Sequence, residues 1–336
     1  MLEGGSALID ITQWLWFIGG VLFILVAEGA VWMYWRQFGP GSIRDYISRD
    51  EEPNGPYKVL AKFKTPAQKV ALIEYEGDYH VFADGSEMFS TTAEDDKFAE
   101  AIVHIPAAVA ELHERILIIG SGGGITTREA LRYSEVTEIV AIDVDPAIMH
   151  MGKTLEPLVK FNKGSLNNPK VRTRIQDGRA YLEQTSETWD VIVIDLPDPS
   201  RRYPELRRLF SVEFYRLLKT RLEPGGAVAV ACSAASEMPE YFRAIQATLK
   251  AAGFHVIPYH YDFIVELGVD WGFCLATVMP VNKRDIRLKL PAKHLSRRRI
   301  DDMLRMPIYF KTRWDDRKIQ TDENHLLADL VEKAGG

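Results

Sequence analysis

Cysteine is nearly absent from the chain: Cys232 and Cys274 are the two among 336 residues. Two thiols build neither a disulfide framework nor a four-cysteine zinc site. Both sit in apolar runs, where buried free thiols are the usual case. That points to a reducing compartment for the domain that carries them. The eight histidines show no metal-ligand spacing. An excess of basic charge is also missing, with 41 Lys and Arg against 47 Asp and Glu and a net charge of −6, which speaks against a chain that coats itself with nucleic acid. No Lys or Arg precedes Arg36, which argues against a cleaved secretory signal with its positive n-region. There is no internal repeat and no low-complexity tract. What remains is 46% hydrophobic and 26% charged. Such a chain builds a large core and is not globally disordered. Its length suits two domains, or one large α/β domain with additions.

The apolar residues begin in one block. From Trp14 to Ala27 the run is unbroken, and after Glu28 it continues to Trp35. A membrane helix needs ~20 such residues, and Trp14, Trp16, Trp32, Tyr34 and Trp35 flank the run as interfacial aromatics do. Residues 1–36 are therefore expected as a single-span anchor, with Glu28 off-centre. Arg36, Arg44 and Arg49 follow the span and put the rest of the chain on the cytoplasmic side of the inner membrane. Segment 37–56, rich in Gly, Pro and charge, reads as a linker.

Residues 57–92 read as a small β domain, because short runs rich in Val, Tyr and Phe are broken at Gly77-Asp78 and Asp84-Gly85. Helical spacing follows over 93–113. Strand candidates then recur at 115–120, 138–143, 171–176, 189–195, 226–232, 255–263 and 271–278, with helical patterns at 126–133, 146–160, 211–222 and 238–252. Continuous apolar strands separated by amphipathic helices predict a mostly parallel, doubly wound sheet over 93–282. The tail, 283–336, is charged, and its run Arg297-Arg298-Arg299 reads as a solvated helix face.

Chemistry gathers at the C-terminal ends of the strands. Gly120, Gly122, Gly123 and Gly124 follow the first core strand and precede a helix, which suits close approach of a nucleotide. Asp143 ends the second strand, near the offset of a ribose-binding carboxylate. A helix cap is its other reading, and Asp145 before Pro146 can serve as that cap. Both NAD and an adenosyl-sulfonium ligand fit this far. Asp177-Gly178 ends the third strand, where Asp177 can accept from an adenine amino group. Asp195-Leu196-Pro197-Asp198-Pro199 ends the fourth. Two carboxylates pinned there suit work on a cationic amine better than hydride transfer.

With these residues in place, the chain from about Tyr57 to Pro280 resembles the spermidine synthase (polyamine aminopropyltransferase) family. The resemblance is greatest to bacterial members with membrane helices ahead of the enzyme domain. It is carried by ILIIGSGGGITTRE, AIDVDP, IQDGRAYL, WDVIVIDLPDP, LFSVEFYRLLKTRLEPGG, LKAAGFHVIPYH and WGF. It implies a Rossmann-like domain of the S-adenosylmethionine type, a homodimer, and decarboxylated S-adenosylmethionine as co-substrate without a metal. The expected reaction passes the aminopropyl group to an amine and releases methylthioadenosine. Residue by residue it implies a donor site of Gln68, Gly120, Gly122, Gly124, Asp143, Val144, Asp177 and Gly178. Asp195 takes the acid/base position and Asp198 the acceptor-amine position. Five positions depart from the family pattern: Gly123 replaces an aspartate for the donor's ammonium, Ala67 a tyrosine, Met88 a glutamine, and Phe98-Ala99 a Tyr-His pair. Losing one charge-assisted contact weakens binding by on the order of 1.5–3 kcal/mol. Arg201, Arg202, Arg207 and Arg208 follow Asp198 and would repel a free polyamine. The acceptor is then expected to be an amine in an anionic setting, such as a lipid headgroup, with the arginines facing phosphates. The alternatives are a methyltransferase using intact S-adenosylmethionine and a non-enzymatic adenosine-ligand sensor.

Overall fold

The computed structural model describes residues 41–335 apart from Ser121, Arg202, Pro204 and 265–268. The expected membrane helix at 1–36 lies outside the described residues. Among those described, no helix is long and apolar enough to cross a membrane. The chain divides into two compact units. One holds the described residues up to Lys64 together with Gln68–Met88, and the other holds Thr65–Ala67 and everything from Phe89 on.

The first unit is built on a four-stranded sheet in the order β1 (Lys58–Lys64), β2 (Lys69–Tyr75), β3 (Asp78–Ala83), β4 (Ser86–Ser90). Glu76 and Gly77 both have positive φ, the backbone of a two-residue turn that matches strand twist. That turn joins β2 to β3 in antiparallel register, Tyr75 opposite Asp78. The expected linker contributes to the packing here: Ile43, Tyr46 and Ile47 are buried with Ala71, Ile73 and Phe82. Three apolar side chains within five residues are enough to fold a Gly- and Pro-rich segment onto a sheet.

The second unit carries a seven-stranded sheet. Its strands are β5 (Arg115–Ile119), β6 (Glu138–Asp143), β7 (Val171–Ile175), β8 (Trp189–Ile194), β9 (Leu222–Ala231), β10 (His255–Ile264) and β11 (Val269–Thr277). The spatial order is β10-β11-β9-β8-β5-β6-β7. Strands β5 to β9 pair in parallel, while β10 and β11 add an antiparallel edge. This is the doubly wound sheet that the pattern predicts. Alternate residues of β5 face opposite cores, as the strand period requires. Ile116 and Ile118 pack with α1 (Ala93–Val109) and α2 (Ile125–Ala130). Leu117 and Ile119 face the core shared with α5 (Gly178–Gln184), α6 (Val212–Thr220) and α7 (Pro239–Ala251). All four side chains are at most 2% exposed, so truncating one to alanine costs about 2–5 kcal/mol.

One expectation needs revision. The single helix expected over 146–160 is split into α3 (Pro146–Thr154) and α4 (Glu156–Phe161). Pro157 lacks the N–H that would continue the ladder, so Leu155 takes an extended backbone and Pro157 falls in the first turn of the next helix. The charged tail also contributes apolar residues to both cores. Ile286, Leu295, Ile300 and Met303 enter one core, and Phe310 and Leu327 enter the other. The arginines of α8 (Arg297–Met303) lie on its solvated face as expected, where Arg297 pairs with Asp301 and Arg299 with Asp262.

Candidate active site

The strand order reverses between β5 and β8, and the crevice at the carboxyl ends of such strands is where ligands of open α/β sheets bind. Gly120 leaves β5 and Asp195 leaves β8 side by side. The Asp195 N–H donates to the Ile119 carbonyl at 2.9 Å, and the Gly120 N–H donates to Ile142 at 2.9 Å. A Cβ on Gly120 would lie 1.7 Å from the Asp195 carbonyl oxygen, at a φ of +94°. No L side chain fits there.

The glycine turn is held by Asp143. Its Oδ2 accepts from Gly122 N–H at 2.9 Å and its Oδ1 from Asp145 N–H at 2.8 Å. A Cβ on Gly122 would meet Ile148 Cγ2 at 2.4 Å and Asp143 Oδ2 at 2.5 Å. Burial pushes the Asp143 carboxyl up to about 6, against the pull of those two donors, and neighbouring Asp145 adds to the rise. Asp145 itself caps α3 by accepting from Ala147 N–H, so the capping role falls to it and Asp143 holds the turn. Val144, between them, is 59% exposed at the sheet edge. Gly124 is the N-cap of α2.

Asp195 and Asp198 lie in differing surroundings. Thr126, in the first turn of α2, donates to Asp195 Oδ2 at 2.8 Å. Burial pushes Asp195 up to about 7; the Thr126 bond opposes the rise, and the negative Asp143 nearby reinforces it. Burial also raises Asp198, opposed by Ser233 and Tyr241. Ser233 closes β9 with a left-handed φ of 59°, a backbone that a serine adopts at a cost of about 1–3 kcal/mol. The Tyr241 hydroxyl, on α7, faces Asp198 but is buried without a hydrogen bond of normal geometry. Thr126, Ser233 and Tyr241 carry no sequence signal of their own. Ser233 and Tyr241 reach Asp198 from two elements that the chain visits 35 and more residues later.

Asp177 is exposed and N-caps α5 by accepting from Ala180 N–H at 2.8 Å. The capping use of one oxygen is the part of its role that the structure displays. Gly178 is buried, and a Cβ there would strike Ile119 Cγ2 at 2.5 Å, so its smallness brings the start of α5 against the end of β5. Gln68 lies in the N-terminal unit, half-buried, on the approach to β2. The other expected residues, from Gly120 to Asp198, belong to the second unit. Among the described arginines after Asp198, Arg201 pairs with Asp329 and Arg208 with Glu205, while Arg207 lies against His325.

Among the described residues, Glu100, His104 and Glu129 also converge, with ligand atoms close enough for a metal ion. Their donors and acceptors are spent within the protein. Glu129 accepts from Arg128 Nε at 3.0 Å and from Arg132 Nη1 at 2.6 Å. Glu100 accepts from the backbone of Lys293, His294 and Leu295. His104 bonds Tyr133 and Glu129. Guanidinium groups occupy the place that a cation would need, so the cluster joins α1, α2 and the tail.

Comparison with known proteins agrees with this arrangement. The profile of the spermine/spermidine synthase domain matches residues 95–285. A polyamine aminopropyltransferase of Oceanobacillus iheyensis is 31% identical over 85% of this chain and 52% of its own length. Polyamine aminopropyltransferase 1 of Streptomyces coelicolor is 34% identical over 60% of this chain and 36% of its own. The chain thus spans about half the length, or less, of these curated relatives. Spermidine synthase from Thermotoga maritima superposes with a TM-score of 0.66 at 20% identity, over 74% of this chain and 85% of that one. A spermidine synthase in complex with the transition-state analogue AdoDATO gives 0.65 at 19% identity, with the same coverages. By its sequence, its sheet order and the residues brought to the reversal between β5 and β8, the chain is a member of the spermine/spermidine synthase family.

Proposed function

We propose that the chain is an aminopropyltransferase that moves the aminopropyl group of decarboxylated S-adenosylmethionine to an amine. The observation that carries this is the pair Asp195 and Asp198 at the strand-order reversal, beside the glycine turn held by Asp143. In this reading Gly120, Gly122 and Gly124 shape the donor loop. Asp143 and Val144 take the ribose side, Asp177 and Gly178 the adenine side, and Gln68 also serves the donor.

An alkylamine has a pKa near ~10 and arrives protonated. Asp198 attracts the cation, and Ser233 and Tyr241 orient its carboxylate. Asp195 takes one proton from the arriving ammonium, and the freed amine nitrogen attacks the methylene beside the sulfonium. The C–N bond forms as the C–S bond breaks, and the bond pair stays on sulfur as the neutral thioether of methylthioadenosine. The positive charge that sulfur loses passes to the new C–N nitrogen, and the product leaves as a secondary ammonium. A carboxyl poised at about 7 is well matched to the proton transfer at neutral pH. Holding the nitrogen in line with the C–S bond supplies much of the remaining acceleration.

One observation keeps a second donor in view. Gly123 offers no carboxylate, and a Cβ there would sit 3.1 Å from the Phe89 ring. A donor that retains its own carboxylate meets no repulsion at that position, which favours intact S-adenosylmethionine and methyl transfer. The proposal also includes tethering through the apolar run 14–35 and action as a homodimer. The carboxylate partners of Arg201 and Arg208 reduce the charge that a free polyamine would meet, so a free diamine is the simplest acceptor. The test incubates the protein with each labelled donor and putrescine and analyses the products by mass spectrometry. Methylthioadenosine with an aminopropylated amine is expected. S-adenosylhomocysteine with a methylated product would overturn the assignment in favour of the second reading.

A further inference from the structure

The family match ends at residue 285, yet the chain beyond it returns to the segment that follows Asp198. It does so at three points. Near the start of that segment, Arg201 donates to Asp329 at 2.7 Å and lies 3.3 Å from Glu332, both on α9 (Leu326–Gly335). In its middle, the Arg207 guanidinium rests on the His325 ring at 2.7 Å. At its end, Asp322 Oδ1 accepts from Ser211 Oγ, the N-cap of α6, at 2.6 Å, and Val212 N–H donates to the Gln320 carbonyl at 2.9 Å.

The tail that makes these contacts is itself anchored. Gln320 is fully buried; its N–H donates to Thr248 and its Oε1 accepts from Leu327 N–H. Leu327 is fully buried in the core shared with α7. Exposed ion pairs such as Arg201–Asp329 contribute little singly, about 0.2–1 kcal/mol. Here they are spaced along one segment and share a fixed partner, so together they restrict a stretch whose other anchor among the described residues is the burial of Leu209 and Phe210 at its end. They also place carboxylates among arginines that would otherwise oppose a cation approaching Asp198.

We infer that the tail from Gln320 to Glu332 is a positioning strap for the segment between Asp198 and α6, and that it sets the affinity for the amine acceptor. The inference rests on the aminopropyltransferase reading for its kinetic consequence but not for its structural one. The test uses the full chain, the Asp322→Ala variant and the Asp329→Asn/Glu332→Gln double variant. Asp315→Asn, which removes a tail carboxylate paired with Arg317, serves as control. Limited trypsin digestion reads exposure after Arg201, Arg207 and Arg208, and steady-state kinetics with putrescine reads the site.

Cleavage at those arginines is expected to accelerate at least fivefold in both strap variants. The KM for putrescine is expected to rise three- to tenfold, with kcat and the donor KM within twofold and the control like wild type. The double variant alters exposed side chains, so it decides the matter even where Asp322→Ala folds poorly. Unchanged cleavage overturns the strap. Faster cleavage with a raised donor KM and an unchanged amine KM overturns its link to the acceptor. A wild-type protein inactive on putrescine would count against the proposed function, while the digestion would still decide whether the strap exists.

Discussion

Asp195→Asn should damage activity and raise stability at once. In the folded chain burial holds this carboxyl at about 7, against 3.8 for an unperturbed aspartate. The folded state therefore binds more protons than the unfolded state between those two values, and stability falls as pH rises through that window. Above about pH 7 both states are ionised and the penalty is at its full size. A gap of about 3 pH units at 1.36 kcal/mol each sets a ceiling of roughly 4 kcal/mol. Relaxation around a half-buried group reduces the realised gain to on the order of 1–2 kcal/mol. Asparagine is neutral at every pH, keeps the shape, and still accepts from Thr126. At about 2–4 °C per kcal/mol for a unit of this size, its unfolding midpoint should exceed the wild-type value by several degrees at pH 8. The difference should shrink steadily toward pH 4.5. Turnover should fall about 10²–10⁴-fold, the usual contribution of a positioned base. Calorimetry of both proteins across pH 4.5–8 measures the first effect, and product formation the second. An asparagine variant less stable than wild type at pH 8, or a difference that does not vary with pH, would refute the account of Asp195 as a desolvated carboxyl.

Asp198→Asn should raise the amine KM by ten- to a hundredfold in steady-state assays, because it removes the charge that the cation seeks, while donor binding measured by calorimetry stays within threefold. Gly122→Ala should weaken donor binding at least tenfold in the same titration, since its Cβ collides with Ile148 and with the Asp143 oxygen that holds the turn; unaltered affinity would sink the assignment of this turn to the donor. Glu129→Gln should lower stability by about 3 kcal/mol at pH 7 through the loss of one partner of a buried ion pair. Burial alone would raise Glu129, but His104, Arg132 and Arg128 outweigh it and hold the carboxyl at about 2, below its ordinary 4.5. Its contribution is complete above pH 4.5 and is lost as pH falls toward 2, so the gap between variant and wild type in acid titrations should narrow over that interval.

Much of the architecture can be read directly along the chain, because its cause is local. The apolar run of β8 and the glycines after β5 act through nearest neighbours, so strand, turn and helix follow from spacing alone. The same holds for Asp143 and Asp195, which end strands and must therefore lie at the sheet's edge. Pro157 is also a local signal, and its consequence, the split of α3 from α4, follows from its missing N–H.

What escaped the one-dimensional reading depends on distant partners. Arg201 and Arg207 look like bare positive charge in sequence, yet the groups they meet, Asp329 and His325, lie more than a hundred residues downstream. In the charged tail the helical pattern of HLLADLVEKA fits the burial of Leu327, but nothing along the chain marks Gln320 as fully buried. Tyr241 reaches Asp198 only because α7 packs on the sheet. Composition and periodicity determined that a doubly wound sheet would form and where its acidic edge would lie. Only the tertiary structure decided which groups surround each acid, because desolvation, hydrogen-bond geometry and ion pairing are set by closeness in space.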